Sequence, residues 1–325
     1  MKRIFLLSFF YAANTFSYVD KGETFEYLKS ELILNHGFSE DYVVSTLNKA
    51  IKQDKIIQSI SEPAEFTWTW DRYKDLFIEE KRIQNGKKFI SENIKTLKKA
   101  ESRFGVPKEI ITSILGVETR YGKIMGSYRV LDALTTLSFD FPRRSKFFTK
   151  ELINLFLLSR ENNLEILSLK GSYAGAMGYG QFIPSSYRAY AIDFDNDGYV
   201  DLLNSVDDAI GSIANYLYIH GWNKDLPTIR RIDQKFLSNT QSINNVRNPL
   251  ILAPNILHAS DELENEDILD QSVLLLSYYE RGKTDFFVGT ANFIAITKYN
   301  RSHFYAKAVY DLSLIHISEP TRPRE

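Results

Sequence analysis

Pro107-Lys-Glu-Ile-Ile-Thr-Ser-Ile-Leu-Gly-Val-Glu118-Thr-Arg-Tyr-Gly122 decides how the rest of the 325-residue chain is understood. Proline suits the first turn of a helix, where the N–H it lacks has no partner to lose, so a helix is expected to open at Pro107. Ile110, Ile111, Ile114 and Leu115 then recur at the spacing of one helical face. Glu118 follows Ile114 by four residues and Leu115 by three, which puts a carboxyl on that apolar face. Burial disfavours a carboxylate relative to its acid, so Glu118 is expected to keep its proton and serve as a general acid. The plainer reading makes it a half-exposed residue at a helix end, paired with Arg120.

Further along, Gly171-Ser172-Tyr-Ala-Gly175-Ala-Met177-Gly178-Tyr-Gly180-Gln181-Phe-Ile-Pro184 is dense in glycine between two expected helices. Without Cβ atoms such a backbone can approach a ligand closely. No Gly-Lys-Ser/Thr follows, so it is not a phosphate loop, and a purely structural turn is the simpler alternative.

Gly116-Val-Glu-Thr-Arg-Tyr-Gly122 and Gly175-Ala-Met-Gly-Tyr-Gly-Gln-Phe-Ile-Pro-Ser-Ser-Tyr187 together resemble the membrane-bound lytic murein transglycosylase B family, from roughly Phe25 to Tyr310. The resemblance implies a mainly α (α+β) fold, a lysozyme-like helical core with an N-terminal helical lobe and a small β-rich lobe. It implies cleavage of the β-1,4 bond between N-acetylmuramic acid and N-acetylglucosamine in peptidoglycan, with formation of a 1,6-anhydro sugar. Glu118 would act first as acid and then as base. The glycine loop would line the saccharide groove, with Ser172 and Gln181 on the sugar and Met177 in the same loop. Tyr299 and Asn300 would stand next to Glu118, and Tyr73 would lie beside the groove. Tyr216 joins these as a substrate-binding candidate. A hydrolytic muramidase using the same Glu118, and a non-catalytic peptidoglycan-binding scaffold, are the rival functions. No second carboxylate is evident near Glu118, and Glu109 is nine residues back, so the two-carboxylate scheme of most glycosidases is not expected.

Asp193-Phe-Asp195-Asn-Asp197-Gly198-Tyr199 forms the opening half of an EF-hand-type loop. Alternate carboxylates face one centre, the glycine allows the sharp turn, and the Tyr199 carbonyl is the next ligand. Three carboxylates so close would repel one another by about several kcal/mol without a cation, so structural calcium is expected, against a solvated acidic turn. The twelfth position is Asn204, not the usual Glu. The resemblance implies a longer loop closed by Asp208, with Asp207 beside it as a competitor.

The remaining chain divides around these motifs. Residues 1–17 have the cations, short apolar run and small residues of a signal peptide, with Thr15 and Ser17 before the cut. Export to the periplasm follows, with an uncleaved membrane anchor as the alternative. Residues 18–98 make a helical lobe in which Ser39 caps a helix bearing Tyr42, Val43, Leu47 and Ile51. Within it 63–70 is expected to be an extended link, and Trp68, Trp70 and Tyr73 to be either core or a sugar-facing cluster. The core spans 99–222, with helices at 128–137, 147–169 and 208–220. Phe141-Pro-Arg143-Arg144 interrupts it, and the two arginines could grip an acidic peptide or sugar carboxylate, or be merely solvated. Strands are expected at 226–231, 272–280 and 284–289 in a β-rich lobe over 223–292. A helix over 293–311 returns to the core. Residues 312–325 resemble a translated sequencing adapter and are set aside.

Composition narrows the function classes. Hydrophobic content of 44% with 25% charged residues describes an ordinary folded protein. A net charge of −1 provides no basic footprint for nucleic acid. With no cysteine there is no disulfide, no thiolate chemistry and no lipid anchor on a cysteine. The five histidines lack HExxH spacing, so a histidine-held metal is not expected. Peptidoglycan glycan strands are the expected partner of a monomer, with other cell-wall enzymes as candidates.

Overall fold

The computed structural model describes residues 22–61, 68–232, 243–244, 251–252 and 272–318. The expected signal peptide, residues 63–67 of the expected link and the chain after Ser318 lie outside these residues. Helices run over Glu23–Ser30 (α1), Glu40–Leu47 (α2), Asp54–Ser61 (α3), Trp70–Phe77 (α4), Glu80–Glu92 (α5), Ile94–Phe104 (α6) and Lys108–Thr119 (α7). Glu31–Asn35 continues α1 as a wider π turn. Ser39 caps α2 by accepting a hydrogen bond from the Tyr42 N–H, the role its side chain predicts. Trp70 opens α4 instead of ending an extended stretch.

α7 is the centre of the molecule. It packs against α5, α6, Val206–Ile219 (α11) and His303–Ser318 (α13). Every residue from Glu109 to Val117 is buried, so the helix has no solvent face, unlike the one-sided burial its periodicity suggests. Pro107 is its cap and Lys108 its first residue.

Tyr128–Arg129 (β1) pairs with Lys170–Gly171 (β2) before Val130–Asp140 (α8) begins, where a helix from Tyr128 was expected. Ser145–Glu161 (α9) packs on α8 and stops eight residues short of the expected Leu169; just beyond it Asn163 turns left-handed at φ 50°. Pro184–Tyr190 (α10) lies on α9. Its start is fastened by the buried Glu151, which accepts from the Ser185 N–H at 2.9 Å and from its hydroxyl at 2.8 Å. Burial raises the pKa of Glu151, and the Ser185 hydrogen bonds oppose that rise.

The small sheet is antiparallel in the order Ile229–Ile232 (β3), Lys283–Gly289 (β6), Ser272–Glu280 (β5) and Ile251–Leu252 (β4). Arg281 and Gly282, at φ 49° and 86°, join β5 to β6 as a tight hairpin whose twist matches the strands. The sheet is tied to α13 where the Tyr278 hydroxyl donates to the His303 carbonyl at 3.0 Å. The Lys307 ammonium, bonded to Asp311, stands 5.1–5.5 Å from the rings of Trp70, Tyr278 and Phe287. One lysine thus joins α4, the sheet and α13.

The returning segment is two helices, Ala291–Tyr299 (α12) and α13, because the chain turns at Asn300, whose carbonyl accepts from the Ser302 N–H at 2.7 Å. α13 also runs past Asp311. Leu312 is fully buried, and His316 reaches Ser113 on α7 at 3.4 Å. Among the described residues no helix is long and apolar enough to cross a membrane.

Candidate active site

The site grows from the end of α7. Arg120 and Tyr121 both turn left-handed, φ 51° and 62°, and their N–H groups close on the carbonyls of Gly116 and Leu115. This doubles the chain back so that Tyr121 lies over Gly116, where a Cβ would stand 2.6 Å from its hydroxyl. That hydroxyl donates to the Arg82 carbonyl at 2.8 Å and ties the turn to α5. Arg120 pairs with Glu79 at 3.3 Å.

Glu118, half-buried, accepts a 2.7 Å hydrogen bond at Oε1 from the Tyr305 hydroxyl. Tyr305 comes from α13 and is 2% exposed. Burial, and then the nearby Glu118 charge, push its phenol well above the usual tyrosine pKa, so it stays a donor. Tyr299 is raised for the same two reasons. The Tyr299 and Tyr305 rings lie parallel, 6.4 Å between centroids. The Tyr299 hydroxyl donates to the Gly180 carbonyl at 2.5 Å. One of the two phenols holds the acid and the other holds the glycine loop.

That loop is braced by its own backbone. Met177 and Phe182 exchange both hydrogen bonds at 2.9 and 3.0 Å, and the Ser172 hydroxyl accepts from the Ala176 N–H at 3.1 Å. Gln181 sits left-handed at φ 51° and donates from Nε2 to the carbonyls of Met125 and Gly178. The Thr119 hydroxyl, one residue from the acid, donates to the Tyr179 carbonyl at 2.8 Å.

Among the sequence-predicted residues, Tyr299, Gln181 and Ser172 are partly exposed and belong to this assembly. Asn300 is exposed just past α12. Met177 is fully enclosed beneath the loop, and Tyr73 is packed among Trp68, Trp70, Phe77 and Phe304. Tyr216 is largely buried, edge-on to Tyr299 at 4.9 Å and stacked on His220. Arg143 and Arg144 are exposed on a 3₁₀ turn, with Arg144 over the Phe147 ring at 4.3 Å. Burial, then the charges of Arg301 and Arg143, lower the pKa of Arg144, so Arg301 is a third cation at this place. Tyr305 and Thr119 are the contributors the sequence did not single out. A tyrosine on a buried helical face looks like core, and only its distance from Glu118 in space reveals the contact.

Glu109 is paired with Lys108 at 2.7 Å at the far end of α7, roughly 13 Å from Glu118 by the helical rise. That exceeds the spacing of either two-carboxylate scheme. Glu79 is held by Arg120 and lies 4.0 Å from Arg82.

Asp193, Asp195 and Asp197 each offer an oxygen to one place, all within 4.8 Å of one another. Backbone N–H groups of Asn196, Gly198 and Tyr199 fold the loop around these carboxylates. The Tyr199 side chain points to solvent. Asp208 is buried, and its oxygens accept from the N–H groups of Phe194 at 2.7 Å and Asp201 at 2.8 Å. Burial raises its pKa and those hydrogen bonds oppose the rise. Asp207 instead accepts from Thr96 on α6.

Residues 22–314 match the transglycosylase SLT domain. The chain is 38% identical over 291 residues, 87% of its length and 79% of the relative's, to membrane-bound lytic murein transglycosylase B of Escherichia coli K12. It superposes with a TM-score of 0.78 on the crystal structure of the soluble lytic transglycosylase SltB1 from Pseudomonas aeruginosa, at 38% identity, covering 90% of this chain and 97% of that one. A calcium complex of the Escherichia coli lytic transglycosylase SLT35 gives 0.79 at 36% identity, covering 92% and 94%.

Gly178 tests how tightly the loop is seated. A Cβ there would lie 2.1 Å from the Leu202 carbonyl, at φ 70°. Gly178→Ala is expected to cost more than about 1 kcal/mol in urea unfolding. Gly282→Ala, at φ 86° with open space around it, should show the backbone strain alone and lose less. Equal losses would mean the loop is not held against Leu202.

Proposed function

The chain belongs to the transglycosylase SLT-domain family of lytic transglycosylases, and on that premise we propose that it cleaves the N-acetylmuramic acid–N-acetylglucosamine bond of peptidoglycan with Glu118 as its single acid–base group. The observation that carries this reading is the half-buried Glu118 carboxyl held by Tyr305, with no second carboxylate placed on α7 to share the work.

Glu118 donates its proton to the glycosidic oxygen as the bond from C1 breaks, leaving an oxocarbenium-like muramic acid. The carboxylate then takes the proton of the C6 hydroxyl while that oxygen bonds to C1. The product is a 1,6-anhydro ring, the enzyme regains its proton, and no water is consumed. A hydroxyl already on the substrate replaces the second carboxylate of ordinary glycosidases. Ser172, Gln181, Tyr299 and Asn300 are the groups that orient the sugar, and rigid placement of this sort supplies much of the acceleration. Tyr305 keeps the carboxyl in one rotamer through both steps. Arg143, Arg144 and Arg301 form an exposed cationic group suited to the carboxylates of peptide stems. Peptidoglycan as substrate places the enzyme in the periplasm.

The acidic loop has the donor set for calcium: three convergent carboxylates around a glycine turn, with the Tyr199 carbonyl next in line. Asp193, Asp195 and Asp197 would hold the ion, which would neutralise their mutual repulsion and brace the loop. Asp208 would fix the loop's backbone from beneath.

Glu118→Gln is expected to fold normally and to release soluble muropeptides from isolated sacculi about 10² to 10⁴ times more slowly; release at the parent rate would end the assignment. Calcium is expected to raise the melting temperature and a chelator to lower it, with Asp195→Asn abolishing the response. A melt indifferent to both additions would remove the ion from the account.

A further inference from the structure

Thr119 is fully buried, so it cannot touch a glycan, yet its hydroxyl links the acid's helix to the loop opposite. Its oxygen accepts from the Gly122 N–H at 2.9 Å, and its one proton has two acceptors within reach. The Leu115 carbonyl at 3.2 Å is the back-bond that helical threonines commonly form. The Tyr179 carbonyl, at 2.8 Å, is closer and belongs to the glycine loop. Tyr179 is also gripped from its other side, where its N–H donates to the Leu202 carbonyl at 3.0 Å. Its ring covers Gly122, where a Cβ would fall 2.0 Å from it.

The next carbonyl along, that of Gly180, is the one held by Tyr299. Two successive loop carbonyls are therefore fixed by hydroxyls from two different helices, α7 and α12. Gln181 follows at once in its left-handed conformation. We infer that Thr119 is a positioning residue: its hydroxyl, bonded to the Tyr179 carbonyl, sets the distance between Glu118 and the sugar-orienting end of the glycine loop. Two magnitudes separate this role from simple satisfaction of a buried polar group. One neutral hydrogen bond contributes about 1 kcal/mol to stability. A shift of about 1 Å between reacting groups can cost about 100-fold in rate. A positioning role therefore predicts that turnover suffers more than stability.

The inference rests on Glu118 being the acid, and the experiment separates the two. Thr119→Val, Thr119→Ser, Thr119→Ala and Glu118→Gln are made in the full chain and assayed on soluble glycan strands, with melting temperatures recorded alongside. Thr119→Val, close to isosteric but without the hydroxyl, is expected to lose about 10- to 100-fold in kcat with KM unchanged. Thr119→Ser should regain most of that loss. Should the valine variant fail to fold, the Ala and Ser variants still isolate the hydroxyl, since both lack the methyl group; Ser faster than Ala supports the role. Parent-like kcat in Thr119→Val, or equal kcat in the Ser and Ala variants, overturns it. An inactive Glu118→Gln beside a normal Thr119→Val would sink this inference alone, whereas an active Glu118→Gln would sink the acid assignment and this inference with it.

Discussion

A phenol with almost no exposure to water donates to a half-buried carboxyl at 2.7 Å, across 187 residues of sequence. The bond gives the buried phenol an acceptor and helps fix the direction of the carboxyl. An unpaired hydroxyl buried at that depth costs about 1–3 kcal/mol, and a carboxyl free to choose rotamers would seldom face a glycosidic oxygen. The pairing requires α7 and α13 to pack in one register, and the architecture supplies this from both sides. α7 is enclosed by four helices, and α13 is pinned through Lys307 and Asp311 to the aromatic rings of α4 and the small sheet. The sheet, remote in sequence from the acid, is thereby tied to the helix that orients it.

The glycine loop meets a second constraint, which is proximity. The Ala176 carbonyl lies against Gly171, the Leu202 carbonyl lies against Gly178, and the Tyr299 hydroxyl lies against Gly180. Any side chain at the first two positions would collide with main chain, which cannot swing away as a side chain can. The glycines are thus required by the fold itself, whatever ligand the loop also meets. This accounts for a loop without regular secondary structure that is nevertheless held in one shape by its own hydrogen bonds and by hydroxyls from Thr119 and Tyr299.

Much of this was legible in the residues. Periodicity located α7, the Ser39 cap located α2, and alternating carboxylates around Gly198 located the acidic loop. The resemblance in two motifs named the family, and both the family and the lysozyme-like fold stand. What escaped the sequence has a common cause, since local pattern carries no information about long-range partners. The apolar spacing of α7 implied one buried face, whereas helices from distant parts of the chain cover all of it. The segment from Phe293 to Tyr310 reads as helix, with Tyr299-Asn300 inside it also reading as a cap. The chain breaks at Asn300, whose carbonyl accepts from the Ser302 N–H. Asp208 was named from sequence only as the residue closing the loop, and the structure adds that its oxygens accept the backbone N–H groups of Phe194 and Asp201.

The central claim is that one carboxyl suffices because the substrate's own hydroxyl completes the reaction. Product mass spectrometry after digestion of purified sacculi in ¹⁸O-labelled water tests it most directly. The account predicts muropeptides ending in 1,6-anhydro-N-acetylmuramic acid with no label incorporated. Reducing ends carrying ¹⁸O would show that water attacks instead, and would contradict it.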